Sequence, residues 1–342
     1  MTDPGELMEA EIAAQPEAAS RLIARRSNVV HSLRALGPRP HAGVVIVARG
    51  SSDHAAVFGR YVCEAACGRP VALAAPSLTT LYEVDLNLED WLAVGVSQSG
   101  RTPEVATVLS AYAERGARTV AVTNEPDSPL AEAAELTIEL GTGPERAVPA
   151  TKTVTAQLVV MAMIAEALGP VPWAAADWEA LPAAVASVVA DPDPADRAAE
   201  ALAEAGGLVC VARGYLHCVA LEAALKLREA AGLPAEGWSA ADYRHGPATT
   251  ARGDVPLLAI TARGPAAADV DALATRWREG GSRVLRLADE RGAELPYERT
   301  PSEPLAAVTA IVRAQQLALA LGRRRGVDPD RPPQLTKVTL TR

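Results

Sequence analysis

An α/β fold of two tandem parallel-sheet halves is predicted by three features: an internal repeat, an alternation of short apolar runs with helical patterns, and a composition able to fill a core. Residues 43–50 read GVVIVARG and residues 207–214 read GLVCVARG, so the second copy follows the first at an offset of 164. Each copy is a short β-rich run that ends in Val-Ala-Arg-Gly and feeds an Ala-rich helical pattern. The first continues SSDHAAVFGRYVCEAA and the second YLHCVALEAALKLREAA. A strand that ends in Gly and runs into a helix is the unit of a parallel α/β sheet. Two such units at corresponding places indicate a duplicated subdomain. The 342 residues are 49% apolar and 22% charged, enough for about two domains with real cores. Aromatics are only 4%, with Phe58 the single Phe, so Ala, Leu and Val must fill the interior.

The remaining elements follow in order. Glu17–Leu36 reads as a packing helix ahead of the first repeat. In the first half, Trp91–Ser97 and Thr119–Thr123 are buried-strand patterns on either side of a helix over Pro103–Arg115. Pro103 suits a first helical turn, where its missing N–H is not needed. Leu136–Leu140 is a third strand and Thr151–Leu168 a long helix, while the Ala/Pro/Asp-rich stretch Ala174–Glu204 is a helical connector. In the second half, strands Val255–Ile260 and Arg283–Leu287 flank a helix over Ala267–Gly280, and Pro304–Arg323 is a terminal helix. The last stretch, Gly326–Arg342, carries DPDRPP and is expected to be an extended tail. The expected organisation is therefore a helical segment over 1–38, a first subdomain over 39–170, a connector over 171–204, a second subdomain over 205–325 and a tail over 326–342.

Charge and composition exclude several classes. The 33 basic and 42 acidic residues give a net charge of −9, without a Lys/Arg run. Such a chain has no footprint for general nucleic-acid or anionic-membrane binding. An anionic substrate would need a local, built-in anion site. The start, MTDPGELMEAEIAAQPE, is acidic and lacks the basic and apolar regions of a secretory signal. The longest apolar candidate for a membrane span, Val154 to Leu168, is broken by Gln157 and Glu166. Cys63, Cys67, Cys210 and Cys218 lack the paired spacing of a zinc site, so buried free thiols in a reducing cytoplasm, and no metal, are expected.

In open parallel sheets, ligands sit at the carboxyl ends of strands, where helix N-termini present free N–H groups. Gly50-Ser51-Ser52 follows the first strand, and Ser97-Gln98-Ser99-Gly100-Arg101-Thr102 follows the Trp91 strand. Backbone amides, a helix dipole and hydroxyls together make an anion cradle. The plainer alternative is that both are ordinary N-caps. One cap needs one hydroxyl, and the second loop offers three.

Only three of the 33 basic residues are Lys: Lys152, Lys226 and Lys337. Arg cannot lose its proton to act as a base or carbonyl nucleophile, whereas Lys can. Lys226 and Glu229, three apart on the helical pattern after the second VARG, share a face, with Glu222 expected on a neighbouring one. The bland account is a surface ion pair. A carboxylate beside a lysine, however, suits proton abstraction next to a carbonyl. His245, in ADYRHGPA, is expected to close a short helix on a loop, where it could act as an acid or base.

With MEAEIAAQPE, GSSDHAA, SQSGRTPE, GPERAVPATK, ALEAALKLREA, ADYRHGP and DPDRPPQLTKVT on the page in that order, the sequence resembles the sugar isomerase (SIS) domain family. It is most similar to the isomerase half of glucosamine-6-phosphate synthase and to the stand-alone SIS-type glucosamine-6-phosphate deaminases. The resemblance covers essentially the whole chain. It implies two SIS subdomains, each a parallel sheet between helical layers. It further implies that Ser97, Gln98, Ser99 and Thr102 hold a sugar phosphate, and that Ser52, Val148 and the 150 position line the sugar site with Ser51 nearby. Glu229 would be the base that moves a proton between C1 and C2, and Lys226 would stabilise the enolamine-like intermediate. His245 would assist ring opening from the neighbouring subunit of a homodimer, and Lys337 would form a Schiff base with the ketose. No cofactor is implied. Ala150 stands where the synthase pattern has Ser, Asp242 where it has Glu, and Arg228 where it has Lys, so the sugar contacts differ in detail.

The synthase's glutaminase part needs an N-terminal nucleophilic Cys, whereas Thr2 follows Met1 here and the first Cys is Cys63. The expected activity is therefore deamination and isomerisation of glucosamine 6-phosphate to fructose 6-phosphate and ammonia. The alternatives are an aldose–ketose phosphate isomerase, a deglycase acting on fructose-amine phosphates, and a non-catalytic sugar-phosphate sensor. A sensor would keep SQSGRT without needing Glu229, Lys226, His245 and Lys337.

Overall fold

The computed structural model describes residues 3–37, 42–250, 255–300 and 302–337. Three short helices open the chain: α1 (Glu6–Ala13), α2 (Gln15–Ala24) and α3 (Arg26–Ala35). A first series follows: β1 (Gly43–Val47), α4 (Ser51–Cys67), β2 (Val71–Leu73), α5 (Pro76–Thr80), β3 (Trp91–Val96), α6 (Pro103–Glu114), β4 (Arg118–Thr123), α7 (Pro129–Glu132), β5 (Leu136–Glu139) and α8 (Lys152–Leu168). Helices α9 (Ala175–Ala190) and α10 (Asp193–Leu202) lead to a second series. It comprises β6 (Leu208–Ala212), α11 (His217–Ala231), β7 (Ala235–Ser239), α12 (Ala240–Tyr243), β8 (Leu257–Thr261), α13 (Ala267–Glu279), β9 (Val284–Ala288), β10 (Leu295–Pro296) and α14 (Glu303–Arg324).

The strands form two five-stranded, all-parallel sheets of identical topology. The first runs β2-β1-β3-β4-β5 and the second β7-β6-β8-β9-β10. In each, strand order reverses between the first and third strands of the series, the place where open α/β sheets bind ligands. The repeat read from the sequence is thus a repeat of structure. Gly50 and Gly214 both take positive φ (59° and 64°) after β1 and β6. Helices α4 and α11 both end on a left-handed glycine, Gly68 and Gly232, at the same offset of 164. The VARG arginine is also used twice: Arg49 pairs with Glu104 in the first turn of α6 (2.8 Å), and Arg213 pairs with Asp269 in the first turn of α13.

By internal contacts the chain divides into two compact units. The first-sheet unit holds Ala18–Pro144 and Thr153–Pro172; the second-sheet unit holds the residues up to Glu17, Glu145–Lys152 and Trp173–Lys337. The first has a core of Val45, Val47, Ala93, Val105, Leu109, Tyr112 and Leu130. In the second, Val209, Val211, Leu257, Val270, Leu273, Tyr243 and Trp277 pack together. With few aromatics, close backbone approach fills space instead. A Cβ on Gly322 of α14 would lie 2.2 Å from the Ala230 carbonyl of α11. Helix α14 is long and apolar enough to cross a membrane by composition, but 94% of that window is buried in the unit.

Several elements depart from the expectation. The single packing helix over 17–36 is two helices, α2 and α3. They break at Arg25, whose N–H reaches back only to Leu22 O and whose side chain is drawn to the Glu139 carbonyl. The connector splits at Asp191, where the following Pro192 disfavours helical geometry. Strands β2, β7 and β10 are sheet edges without a period-2 pattern long enough to read. The tail over 326–337 forms no helix or strand, and its last residues, 338–342, lie outside the described ones.

Candidate active site

Both hydroxyl-rich segments lie at the carboxyl ends of β1 and β3, at the reversal of strand order in the first sheet. They are not ordinary N-caps. Gly50 occupies the cap of α4, so Ser51 and Ser52 are already inside its first turn. Thr102 occupies the cap of α6 but makes no capping hydrogen bond; its Oγ1 lies 3.3 Å from Ser97 Oγ. The first turns of both helices are thus left without side-chain caps, which keeps them available to an anion.

The loop between β3 and α6 is held by its neighbour strand. Ser97 N–H donates to Val122 O, while Gln98 O accepts from Asn124 N–H (3.0 Å) and Thr123 Oγ1 (3.3 Å). Ser99 Oγ accepts from the Arg101 N–H at 3.2 Å. Gly100 takes φ 60°, and a Cβ there would stand 2.0 Å from Ser128 Oγ, so the turn admits only glycine. Ser52, 7% exposed, accepts from Gln157 Nε2 at 3.0 Å, which leaves its own proton free to point elsewhere.

The second-sheet unit carries the ionisable groups. Lys226 on α11 is fully buried, with Nζ 3.5 Å from Glu222 Oε1 and in close contact with Glu229 Oε2. This corrects the expectation that Glu222 sits on a neighbouring face: four residues is one helical turn, so Glu222 and Glu229 approach the amine from the two sides. It also removes the surface-pair account, because the Lys226 and Glu222 side chains are 1% and 0% exposed. Burial by itself would lower the Lys226 pKa, but the charges of Glu222 and then Glu229, with Glu145 adding to them, leave it raised. Lys226 is therefore a fixed cation rather than a base. Glu229 retains 20% exposure and is the member of the trio that a ligand can reach.

Lys337 on the tail donates to the Ala147 carbonyl (2.6 Å) and to Glu145 Oε2 (3.2 Å). Glu145 is enclosed, its other oxygen accepting the Thr151 N–H at 3.0 Å. Its role was not singled out from the sequence; the available signal was an acidic residue inside the GPERAVPATK motif. The segment bearing Glu145 also carries Val148 and Ala150, both partly exposed. Lys152 starts α8 and is 7% exposed. His245 follows the short helix α12 as expected and is exposed; its backbone N–H donates to Asp242 O. No contact among the described residues joins it to Lys226 or Glu229. Nor, among those residues, is any group of three or more His, Cys, Asp or Glu arranged to hold a metal ion.

The SIS domain family model matches residues 41–167 and 201–321. The chain belongs to the SIS domain family. Two SIS matches coincide with the two series of elements around the two sheets. The chain is 32% identical over 315 residues to a glutamine–fructose-6-phosphate aminotransferase (isomerizing) of Symbiobacterium thermophilum, covering 86% of this chain and 51% of that protein. It spans about half the length of the aminotransferases it matches. Among solved structures it resembles a candidate phosphosugar isomerase from Silicibacter pomeroyi, with a TM-score of 0.84 and 31% identity over 95% of this chain and 99% of that one. It shares its fold with a glucosamine-6-phosphate deaminase of Thermotoga maritima, with a TM-score of 0.79 and 24% identity over 98% and 100% of the two chains.

Proposed function

We propose that this SIS protein deaminates and isomerises glucosamine 6-phosphate, yielding fructose 6-phosphate and ammonia. The observation that carries the reading is the buried Lys226 held between Glu222 and Glu229, with a second lysine, Lys337, set on Glu145. In this reading the loop Ser97–Thr102 and the first turn of α4, Ser51 and Ser52, hold the phosphate and sugar hydroxyls. Val148 and Ala150 line the sugar. Glu229 removes the C2 proton of the open-chain aldose and returns it to C1, while the Lys226 cation offsets the charge that develops in the enolamine.

The product of that shuttle is a C2 imine. The Lys337 amine adds to C2, ammonia leaves, and water then hydrolyses the lysine ketimine to release the ketose and restore Lys337. A plain aldose–ketose isomerase has no such imine to resolve, so the retained amine favours the ammonia-releasing reaction. We further propose a cytoplasmic homodimer in which exposed His245 serves ring opening in the partner's site. The free, largely buried thiols accord with a reducing compartment.

The test is release of ammonia and fructose 6-phosphate from glucosamine 6-phosphate, with no metal or nucleotide added. Stoichiometric release that vanishes in Glu229→Gln supports the reading. Binding without release would shift it to other ketose or fructose-amine phosphates, or to a sensor. Partial activity recovered by mixing Glu229→Gln with His245→Ala chains supports a shared site; no recovery argues that each site is built from one chain.

A further inference from the structure

The motifs MEAEIAAQPE and DPDRPP, from opposite ends of the chain, meet in the second-sheet unit. Gly5, the cap residue of α1, has no side chain to offer its first turn. Asp330 supplies it instead: Oδ2 accepts the Leu7 N–H and Oδ1 the Met8 N–H, both at 2.8 Å. Asp328 Oδ1 accepts the Gly5 N–H at 3.1 Å and the Asp330 N–H at 3.0 Å. One turn further along α1, Glu11 Oε1 accepts the Arg146 N–H and, at 3.3 Å, the Ala147 N–H. The same two partners close on each other, since the Asp330 carbonyl accepts the Val148 N–H at 3.3 Å. Glu11 and Asp330 are 6% and 5% exposed, which is unusual for carboxylates.

Every contact of the Lys337 amine named above is with this assembly. Ala147 O and Glu145 Oε2 belong to the segment that Glu11 grips, and Lys337 belongs to the tail that Asp330 grips. An eight-residue helix is marginal by itself, so α1 depends on what it is anchored to, and the tail and the 145–148 segment are among its anchors.

We propose that Glu11 and Asp330 are positioning residues, through which α1 sets the tail lysine and the 145–148 segment in mutual register. This rests on the reading of Lys337 as the amine that adds to C2, but the test separates the two. Fructose 6-phosphate is incubated with the full-length protein and cyanoborohydride, and the modified lysine is located by mass spectrometry. In parallel, hydrogen exchange is followed in peptides covering 145–150 and 326–337.

The wild-type protein should be modified at Lys337. Asp330→Asn puts an amide N–H₂ against a backbone N–H, and Glu11→Ala removes the acceptor for two more. Each should slow trapping by about tenfold or more, as expected when a reacting group is misplaced by an ångström. Both should also speed exchange in the loop and the tail together. Glu11→Gln keeps the Oε1 acceptor and should restore trapping to within about threefold. Glu9→Gln is the control: Glu9 anchors the same helix to Arg323 on α14 but touches neither tail nor loop. If Glu9→Gln slows trapping as much as Asp330→Asn at an equal loss of melting temperature, α1 is merely structural and the proposal falls. It falls equally if Asp330→Asn leaves exchange over 145–150 unchanged. Failure of the wild type to trap at Lys337 sinks the Schiff-base reading instead, and the register is then judged on exchange alone.

Discussion

Replacing Lys226 by Met tests the electrostatic heart of the second-sheet unit. Met matches the aliphatic length of Lys, so the substitution removes a cation while nearly conserving packing. Lys226 and Glu222 are both fully enclosed, and Glu229 is mostly so. Breaking a buried pair by deleting one partner costs about 3–5 kcal/mol, because the remaining charge has lost its counterion in a low-dielectric site. At about 2–4 °C per kcal/mol for a unit of this size, the loss is roughly 6–20 °C in the melting temperature of that unit. Four of the five tryptophans (Trp173, Trp178, Trp238 and Trp277) lie in the second-sheet unit, so intrinsic fluorescence in a urea series reports on the right transition. The raised Lys226 pKa means that its contribution is complete below the ordinary lysine value of about 10.4. It is lost as pH rises through the higher native value. The second variant decides the cause. Glu222→Gln added to Lys226→Met should recover all but about 1–2 kcal/mol, since a neutral amide needs no cation. A Lys226→Met loss below about 1 kcal/mol, or no recovery in the double variant, would refute the argument from buried charge.

Four other outcomes are expected. Glu229→Gln should leave sugar-phosphate binding intact while turnover and solvent exchange at C2 fall by about 10²–10⁴, measured by ammonia release and by proton NMR in heavy water. Gly100→Ala should weaken phosphorylated ligands far more than unphosphorylated ones in calorimetric titration, because its Cβ would collide with Ser128 Oγ and φ 60° strains any other residue. Asp269, whose hydrogen bonds to Arg244 and Arg213 outweigh desolvation, has a lowered pKa. Its stabilising effect is present above about pH 3.9 and lost as pH falls through the native value, so melting curves of Asp269→Asn and wild type should differ at neutral pH and converge under acid. Burial pushes the Cys210 thiol up to about 12 and those of Cys63 and Cys218 further still. A thiol reagent at pH 7 should therefore modify the partly exposed Cys67 first and all four cysteines only in denaturant.

What the sequence made legible was whatever repeats or is local. The VARG repeat announced two sheets because a strand, its glycine and its helix are contiguous in sequence. Pro103 marked the start of a helix through its own backbone chemistry. Edge strands such as β10, two residues long, exist only because a neighbour strand offers a ladder, and no local pattern records that. The face of Glu222 was legible and misjudged, since its spacing of four from Lys226 is one helical turn. Glu145 and Asp330 were illegible for a stricter reason. Their partners, Lys337 and the α1 amides, lie 192 and more than 320 residues away.

The duplication also explains how the chemistry is divided, because the two copies remain in register at the offset of 164. Carried back by that offset, Glu222, Lys226 and Glu229 of α11 fall on Phe58, Val62 and Ala65 of α4, where Phe58 and Val62 are buried core residues. Carried forward, Ser97, Gln98, Ser99, Gly100 and Thr102 fall on Thr261, Ala262, Arg263, Gly264 and Ala266. The glycine survives while the amide and all but one hydroxyl are gone. At Gly264 the space is taken by the unit's own carboxylate, since a Cβ there would lie 2.1 Å from Glu303 Oε2. The group closing that turn is thus a carboxylate, where at Gly100 it is the Ser128 hydroxyl. Each copy has thus given up what the other kept. The first retains an uncapped, hydroxyl-lined turn and has filled its helix with hydrocarbon; the second has closed its turn with an acid and placed a buried cation and two carboxylates on its helix. Neither copy alone holds both the uncapped, hydroxyl-lined turn and the buried lysine with its two carboxylates.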